Sequence, residues 1–302
     1  MTAVTSRSFS KNPLLRQRLQ TCFPNVKFNE SGNQLIGDNL VQFLQGAEQA
    51  IIGLEVIDDQ LLDRCPNLKV ICKMGTGVDK IDQNALERRG ILFSATPGIN
   101  KRSVSELVLA LILMLQRHLS VVCEDVKRGI WKQPSGQCLS NKTVGIIGFG
   151  AVGQDLASLL AAFNCQCFVF DVRQYEMLPP HVSQVDLSAL LKQSDIVSIH
   201  LPFLSENYHF LAREEFIQMK KGAIVINTAR GGLIDEEALY EALASGHLAA
   251  AAMDVFEQEP LVPQKLLTLD QFIATSHIGG STQEAIDGMG LMAIDFLEKM
   301  SR

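Results

Sequence analysis

One stretch decides the fold: Thr143-Val-Gly-Ile-Ile-Gly-Phe-Gly-Ala-Val-Gly153. Its first half is a short apolar run, which predicts a buried parallel strand that turns within a few residues into a helix. Gly148 allows the tight turn, Gly150 lets backbone N–H groups approach a pyrophosphate, and Gly153 lets the helix pack against the strand. A phosphate bound here would lie at a helix N-terminus, where unpaired N–H groups and the helix dipole attract an anion.

A second apolar run, 165–170, follows this helix and ends at Asp171. A carboxylate at that position accepts hydrogen bonds from a ribose 2′-hydroxyl and repels a 2′-phosphate, so the sequence favours NAD over NADP. Arg173 keeps NADP possible. Three glycines alone are typical of many tight turns, but strand, turn, helix, strand and acid in this order predict a dinucleotide site.

Composition is that of a globular protein with ordinary cores. The chain has 302 residues, of which 47% are hydrophobic and 20% charged, and this length accommodates two domains. The net charge of −6 argues against nucleic acid or an anionic membrane as the main partner. Seven cysteines without a Cys-x-x-Cys motif predict reduced, buried thiols in a cytoplasmic protein, with neither disulfides nor a metal site.

The first 29 residues contain no acid and several basic residues, which faintly resembles an organelle transit peptide. We favour a simpler interpretation, in which Leu14, Leu15 and Leu19 form the apolar face of a first helix and Val26–Phe28 is a strand. The longest apolar block, 107–115, has nine residues and is too short to span a bilayer.

Apolar segments alternate with helical patterns between residues 40 and 94, which predicts a small parallel-sheet domain. Its predicted strands are 50–53, 70–72 and 91–94, and its predicted helices are 59–64 and 83–89. A glycine-bearing turn follows the middle strand. Open α/β sheets bind ligands outside the carboxyl ends of their strands, so this turn is a candidate for holding a substrate carboxylate, and an ordinary βα turn is the alternative. The candidate residues are Lys73, Gly75, Thr76 and Gly77.

The segment 96–100 contains Pro-Gly and is a predicted hinge. After it, Ser103-Val-Ser-Glu106 has the pattern of a capping box that opens a helix. Residues 107–115 are apolar on every face, which predicts a helix buried on all sides. Trp131 lies in a loop-like segment, where we expect either a subunit contact or a lid over the core.

Strand and helix patterns continue to residue 275, with strands predicted at 196–200, 223–227, 249–253 and 272–275. Together with the first two strands they make six, which is a complete doubly wound sheet. Ionisable side chains follow the last three strands, namely Arg230, Glu259 and His277. Each could be structural on its own, but as a set downstream of a dinucleotide site they form a candidate catalytic group.

The motifs around these groups are Asn227-Thr-Ala-Arg-Gly-Gly232, Asp254-Val-Phe-Glu-Gln-Glu-Pro260 and Ser276-His-Ile-Gly-Gly-Ser-Thr282. From Lys73 to about Thr282 the chain resembles the D-isomer-specific 2-hydroxyacid dehydrogenase family, most closely its 3-phosphoglycerate dehydrogenase branch. The resemblance implies an α/β protein with two domains. A doubly wound Rossmann domain would bind NAD at residues 100–282, and a smaller flavodoxin-like domain would bind substrate at residues 1–99 and 283–302.

The resemblance also implies roles. Arg230 would bind the substrate carboxylate and polarise the C2 oxygen, His277 would exchange the hydroxyl proton, and Glu259 would orient His277. The implied cofactor contacts are Thr76, Gly148, Gly150, Ala151, Val152, Gly153, Asp171, Thr228, Ala229, Arg230, Asp254, His277, Gly279 and Gly280. The implied substrate contacts are Lys73, Gly75, Thr76, Gly77, Asn100, Arg230 and His277.

Two departures bear on the substrate. Where the phosphoglycerate branch commonly carries phosphate-binding arginines, this chain has Gly53 and Lys73. A glyoxylate or hydroxypyruvate type of acid is therefore an alternative to 3-phosphoglycerate and 3-phosphohydroxypyruvate. The chain ends at Arg302, so we do not expect serine feedback through the regulatory domain of longer relatives.

Two other functions are alternatives within the resemblance. Formate dehydrogenase carries an amide where Glu259 lies, which disfavours it. A non-catalytic, NAD-sensing corepressor is the alternative from another class. The resemblance also suggests a homodimer built around the helix at 103–128 and the Trp131 loop.

Overall fold

A computed structural model describes residues 1–301. It divides the chain into two compact units. The first comprises Met1–Asn100 and the chain from Gly280 onward, and the second comprises Lys101–Gly279. The predicted α/β class is correct for both, because each unit is a parallel sheet covered by helices.

The first unit contains a five-stranded parallel sheet with the strand order β2-β1-β3-β4-β5. Its strands are β1 (Thr2–Val4), β2 (Val26–Phe28), β3 (Gln49–Ile52), β4 (Val70–Lys73) and β5 (Leu92–Ser94). Its helices are α1 (Arg7–Lys11), α2 (Pro13–Cys22), α3 (Gly37–Leu44), α4 (Asp59–Arg64), α5 (Gln83–Arg88) and α13 (Gln283–Met300). The sequence prediction missed β1, whose three residues are all buried.

The last helix packs against α2 and β4 in the same unit. Gly290 allows this approach, because a Cβ there would lie 2.2 Å from Leu15 Cδ1. Leu15, Ala293 and Leu297 are fully buried in the resulting core. The C-terminal segment therefore completes the hydrophobic core of the unit that begins at Met1.

The second unit contains a seven-stranded parallel sheet with the order β12-β11-β10-β9-β6-β7-β8. Its strands are β6 (Thr143–Ile147), β7 (Gln166–Phe170), β8 (Val182–Gln184), β9 (Ile196–Ile199), β10 (Ala223–Asn227), β11 (Leu248–Met253) and β12 (Phe272–Ala274). Its helices are α6 (Lys101–Gln116), α7 (Leu119–Lys127), α8 (Ala151–Leu160), α9 (Leu187–Gln193), α10 (Arg213–Gln218), α11 (Glu236–Ala244) and α12 (Gln264–Leu267). Single 3₁₀ turns lie at Ala161–Phe163 and Ser205–Asn207.

The predicted strand count of six was wrong by one. The additional strand, β8, lies at the sheet edge beside β7. It has only three residues, and two of them are polar. Such a segment carries little apolar signal of its own, because its pairing with β7 is what makes it a strand.

Two expectations about α6 were also wrong. The helix begins at Lys101, so Ser103 lies inside it, and the Ser103 hydroxyl donates to the carbonyl of Gly279 at 2.6 Å. The helix is buried along one face only, since Ala110 is exposed and Leu113 and Met114 are half-buried. It packs on α8 and covers one face of the sheet core.

Other surface features differ from the prediction. Trp131 is 80% exposed, so it is not a lid over the core. All seven cysteines are free thiols, but Cys123 and Cys138 are exposed and only four are buried. Within residues 1–301, no single helix is long and apolar enough to cross a bilayer, and only α6 and α7 taken as a bent pair reach that length. The same residues contain no cluster suited to a metal ion.

Candidate active site

The glycine turn after β6 combines close packing with one open position. Gly148 has φ of 92°, and a Cβ there would lie 2.7 Å from the carbonyl oxygen of His200. A Cβ on Gly153 would lie 2.4 Å from the carbonyl oxygen of Gly148. At Gly150, in contrast, an added Cβ would meet no atom of residues 1–301 within 4 Å. The first and third glycines are therefore needed for packing, and the second borders space that a ligand can occupy.

Asp171 lies at the end of β7 and faces this turn. Its Oδ2 accepts a hydrogen bond from the backbone N–H of Phe149 at 2.7 Å, and its Oδ1 accepts one from the N–H of Arg173 at 2.9 Å. Tyr175 covers the turn, since its hydroxyl donates to the carbonyl of Phe149 at 2.7 Å. Asp171 is half-buried and Arg173 is exposed. The acid is thus held at the edge of the turn, where a ribose hydroxyl could reach it.

The turn after β10 is built by the side chain of Asn227. Its amide donates to the carbonyl of Arg230 at 2.9 Å, and its oxygen accepts from the N–H of Ala229 at 3.0 Å. Thr228 lies inside this turn, and its hydroxyl is buried without a hydrogen-bond partner in residues 1–301. A buried hydroxyl is rarely left unsatisfied, so this atom indicates a ligand position.

The loop that carries His277 is organised by Asp254, which is 1% exposed at the end of β11. One carboxylate oxygen accepts from the Thr275 hydroxyl at 2.6 Å and from the Ile278 N–H at 2.8 Å, and the other accepts from the Gly279 N–H at 2.8 Å. The His277 N–H donates to the Asp254 carbonyl at 2.8 Å. These bonds hold His277 in the left-handed region, at φ of 57°.

His277 and Glu259 form a direct pair. The Nδ1 atom of His277 lies 2.9 Å and 3.0 Å from the two carboxylate oxygens of Glu259. Both side chains are about one-third exposed, at 32% and 27%. Glu259 Oε1 also accepts from the N–H of Phe256 at 3.2 Å. A carboxylate on Nδ1 fixes the proton there, so Nε2 is the nitrogen that can exchange a proton with a substrate.

The third ionisable group, Arg230, lies on the segment that packs against the Glu259 segment. A Cβ on Gly231 would lie 1.9 Å from the carbonyl oxygen of Phe256. Arg230 itself is half-buried, and its guanidinium donates to the carbonyl of Ala229 at 2.6 Å. The strands that precede the three groups, β10, β11 and β12, are adjacent in the sheet. This edge can therefore combine a guanidinium for an oxyanion with an imidazole–carboxylate pair for proton transfer.

In the first unit, the predicted substrate residues lie at the end of β4 and in the turn that follows it. Lys73 is 6% exposed, and its ammonium group donates to the carbonyl of Gly53 at 2.7 Å. The Gly75 N–H donates to the hydroxyl of buried Thr96 at 2.9 Å. Thr76 is exposed and Gly77 is half-buried. All of these residues lie at the carboxyl edge of the five-stranded sheet.

Two further predicted contacts are the end residues of the two segments that make up the first unit. Asn100 is its last residue before Lys101, and Gly280 is its first residue after Gly279. A Cβ on Gly280 would lie 3.0 Å from Nδ2 of Asn100, so the two positions are in contact. Of the remaining predicted cofactor residues, Ala151 is exposed and Val152 is half-buried in the first turn of α8.

Sequence reasoning did not identify Glu55. This residue is 2% exposed, and its carboxylate accepts from the N–H of Gly53 at 2.5 Å. The signal available in the sequence was an acid two residues after a glycine that ends a buried strand. Its burial depends on the tertiary fold, which local pattern does not reveal.

Residues 109–279, more than half of the chain, match the model of a protein family described as "D-isomer specific 2-hydroxyacid dehydrogenase, NAD binding domain". The protein belongs to this family. The family assignment makes it an NAD-dependent D-2-hydroxyacid dehydrogenase or reductase.

Known proteins similar to this dehydrogenase have several activities. A hydroxypyruvate reductase of Thermotoga maritima is 36% identical over 95% of this chain and 96% of its own length. A D-3-phosphoglycerate dehydrogenase of Methanocaldococcus jannaschii is also 36% identical, but this chain spans only 53% of its length. The structure of a D-lactate dehydrogenase from Aquifex aeolicus, complexed with NAD and lactic acid, has a TM-score of 0.84 at 27% identity and is covered over 95% of its chain, with all of this chain matched.

The residues of the dehydrogenase fit the NAD cofactor. The open position at Gly150 and the unpaired hydroxyl of Thr228 both border space for a ligand. The first turn of α8 would bind the pyrophosphate through backbone N–H groups, and Asp171 would bind the adenosine ribose. Both carboxylate oxygens of Asp254 already accept hydrogen bonds from the His277 loop, so a contact with the nicotinamide would be an additional bond.

Proposed function

We propose that the protein uses NADH to reduce a short 2-keto acid without a phosphate group, of the hydroxypyruvate and glyoxylate class, to the D-2-hydroxy acid. The single observation that carries the reaction is the His277–Glu259 pair on the edge of the sheet that also carries Arg230. The environment of Gly53 and Lys73 supports the choice of substrate.

NADH, when bound, supplies the hydride that goes to C2 of the keto acid. The guanidinium of Arg230 binds the carboxylate in a bidentate manner and stabilises negative charge that develops on the C2 oxygen. His277 donates a proton from Nε2 to that oxygen as it becomes a hydroxyl. Glu259 stabilises the imidazolium and keeps the ring oriented. The reverse reaction uses the same groups, with His277 as the base.

The turn after β4 is proposed to bind the substrate carboxylate. Backbone N–H groups of Gly75, Thr76 and Gly77 supply donors, and Lys73 supplies a positive charge. Asn100 is proposed as a further polar contact.

The surroundings of Gly53 argue against a phosphate. Its peptide N–H is bound by the buried carboxylate of Glu55, and its carbonyl is bound by the ammonium of Lys73. The positive charge of Lys73 is therefore accompanied by a nearby negative charge at the ends of β3 and β4. A phosphate dianion would approach an acid that is already buried here, and repulsion in a low-dielectric site is strong. The match over 96% of a hydroxypyruvate reductase agrees with this choice.

A substrate panel tests the proposal. Purified protein would be assayed for NADH oxidation with hydroxypyruvate, glyoxylate, pyruvate and 3-phosphohydroxypyruvate. We expect the highest kcat/KM with hydroxypyruvate or glyoxylate. A higher kcat/KM with 3-phosphohydroxypyruvate would overturn the choice of substrate. NADH binding without reduction of any of the four acids would favour the non-catalytic binding protein instead.

We also propose that the protein is a cytoplasmic homodimer that associates through α6, α7 and the Trp131 loop. The support is apolar exposure, because Trp131 is 80% exposed, Val126 is 48% exposed and each residue of α7 is at least partly accessible. Sedimentation at micromolar concentration tests the assembly, and a monomeric mass would contradict it.

A further inference from the structure

One histidine outside the candidate catalytic group contacts both the segment that carries Arg230 and the segment that carries Glu259. His209 lies in the loop between the 3₁₀ turn at Ser205–Asn207 and α10. We propose that His209 is a positioning residue that holds the Arg230 segment and the Glu259 segment in register. The inference rests on the proposed function for its activity readout, but its contacts are independent of any substrate.

The backbone of His209 binds the first segment. Its N–H donates to the carbonyl of Gly232 at 2.7 Å, two residues after Arg230. The residue has φ of 53°, in the left-handed region that few residues other than glycine adopt. Its neighbour Leu211 continues the connection, since the Leu211 N–H donates to the carbonyl of Leu233 at 3.0 Å.

The side chain of His209 binds the second segment. Its Nε2 lies 2.8 Å from Oε1 of Glu257, two residues before Glu259. The side chains of His209 and Glu257 are 29% and 26% exposed, so solvent screens this bond only in part. A hydrogen bond from an imidazole N–H to a carboxylate is charge-assisted, which makes it stronger than a bond between two neutral groups.

The surroundings of the ring fix its orientation. Tyr208 stacks on it, with ring centroids 3.9 Å apart and planes inclined by 20°. On the other nitrogen, Nδ1 lies 3.7 Å from Oδ2 of Asp235. Glu236 binds the same second segment, since its Oε1 accepts from the N–H of Glu257 at 2.9 Å. The ring therefore lies between Asp235 and Glu257, and Glu236 holds the backbone of Glu257 in place.

The register that His209 fixes is the one that the chemistry needs. Gly231 packs directly on the carbonyl of Phe256, and the Phe256 N–H binds the catalytic carboxylate of Glu259 at 3.2 Å. A shift of one segment past the other would therefore change the position of Arg230 relative to the Glu259 carboxylate. A misplacement of about 1 Å can lower a rate by about 10²-fold. Ordinary packing at Gly231 sets the distance between the segments, and His209 opposes sliding along them.

The test compares His209→Ala, Glu257→Ala and the double variant with the wild type. Hydroxypyruvate kcat and KM, the NADH Kd and the midpoint of thermal unfolding would be measured for each. We expect kcat to fall about 10- to 100-fold in each single variant, with NADH Kd and KM changed less than about threefold. The kcat of the double variant should lie within about threefold of the kcat of the slower single variant, because both substitutions remove the same hydrogen bond. His209→Gln retains a donor and should recover much of kcat.

A matched control is His247→Ala. His247 is also half-buried, and its Nε2 bonds to the carbonyl of Phe216 at 2.8 Å, but it precedes β11, at the opposite end from the catalytic segments. We expect this variant to lose stability without a matching loss of kcat. An equal loss of kcat in His247→Ala would mean that the effect of His209→Ala is general destabilisation, and it would overturn the inference.

A spectroscopic readout does not need turnover. In the NADH-bound protein, the ring N–H proton of His277 that faces Glu259 gives an NMR signal that depends on their distance. We expect His209→Ala to shift this signal and His247→Ala to leave it unchanged. An unchanged signal in His209→Ala would overturn the positioning role, whether or not any acid in the panel is reduced. A failure to reduce all four acids would by itself contradict only the proposed function.

Discussion

A methyl group added at Gly150 should separate cofactor binding from folding. Gly150 precedes α8 with φ of −77° and ψ of −154°, which alanine can adopt, and its Cβ would meet no described atom within 4 Å. The unfolded chain of Gly150→Ala has less conformational freedom. Alanine is less favourable than glycine at the N-cap of α8, which opposes this gain, so the free energy of unfolding should stay within about 1 kcal/mol of the wild type.

NADH binding should change by more than stability does. A bound pyrophosphate would approach the backbone N–H groups at the start of α8 to about 2.9 Å, and a methyl group at Gly150 would obstruct this approach. Loss of one hydrogen bond to a charged group costs about 1.5–3 kcal/mol. Since 1.4 kcal/mol corresponds to a factor of ten, the NADH Kd should rise about 10- to 100-fold.

Fluorescence titration with NADH and thermal unfolding of the unliganded protein measure the two effects. Gly153→Ala provides the contrast, because its Cβ would lie 2.4 Å from the Gly148 carbonyl oxygen and should lower the unfolding midpoint. If Gly150→Ala bound NADH as tightly as the wild type, the pyrophosphate would not lie against Gly150. A fall in its stability as large as that of Gly153→Ala would refute the claim that Gly150 faces open space.

Three further predictions concern the same sheet edge. Gly231→Ala would place a Cβ 1.9 Å from the Phe256 carbonyl oxygen, so the two segments must separate, and steady-state assays should show kcat lower by about 10² or more; an unchanged kcat contradicts the packing. Asp254→Asn places an amide beside buried N–H donors and should lower the free energy of unfolding by about 1–3 kcal/mol in urea titrations, together with kcat, because the His277 loop loosens; normal stability would exclude this. Burial lowers the pKa of His200 from 6.5 to about 4, so the unfolded chain binds the proton more tightly than the folded protein does. The free energy of unfolding should therefore decline as the pH falls from about 6.5 to about 4, by roughly 3 kcal/mol in total. Urea titrations across this range should show a flatter dependence in His200→Asn, and equal slopes would contradict the assignment.

The region around β6 was predictable because every signal in it is local. An apolar run, three glycines at fixed spacing, a helix and Asp171 follow one another within 30 residues, and each constrains the next. The strands β1 and β8 were missed because each contains only one large apolar residue, Val4 in β1 and Val182 in β8. Such segments are strands only through their neighbours, and those neighbours are far away in sequence for β1, which pairs with β2 and β3.

Burial along α6 was mispredicted for a related reason. Composition shows that 107–115 is apolar, but it does not show how many of its faces another element covers. In the structure one face packs on α8 and the sheet, while Ala110 on another face is exposed.

The placement of Arg230, Glu259 and His277 at one edge was predictable from topology, since each follows a strand of a parallel sheet. The distance between His277 and Glu259 could not be predicted in this way. It depends on the left-handed backbone of His277, on the bonds that Asp254 makes to its loop, and on the packing of Gly231 against Phe256. These contacts join residues that lie about 25 positions apart in the chain, and no local pattern encodes them.

The role of His277 is tested most directly by a single-turnover measurement of NADH oxidation by hydroxypyruvate in the wild type and in His277→Asn. We expect the variant to bind NADH as the wild type does, because the imidazole of His277 is not part of the glycine turn. We expect it to oxidise NADH about 10²- to 10⁴-fold more slowly, because the proton donor has been removed. Oxidation at the wild-type rate in His277→Asn would show that the imidazole beside Glu259 does not transfer the proton.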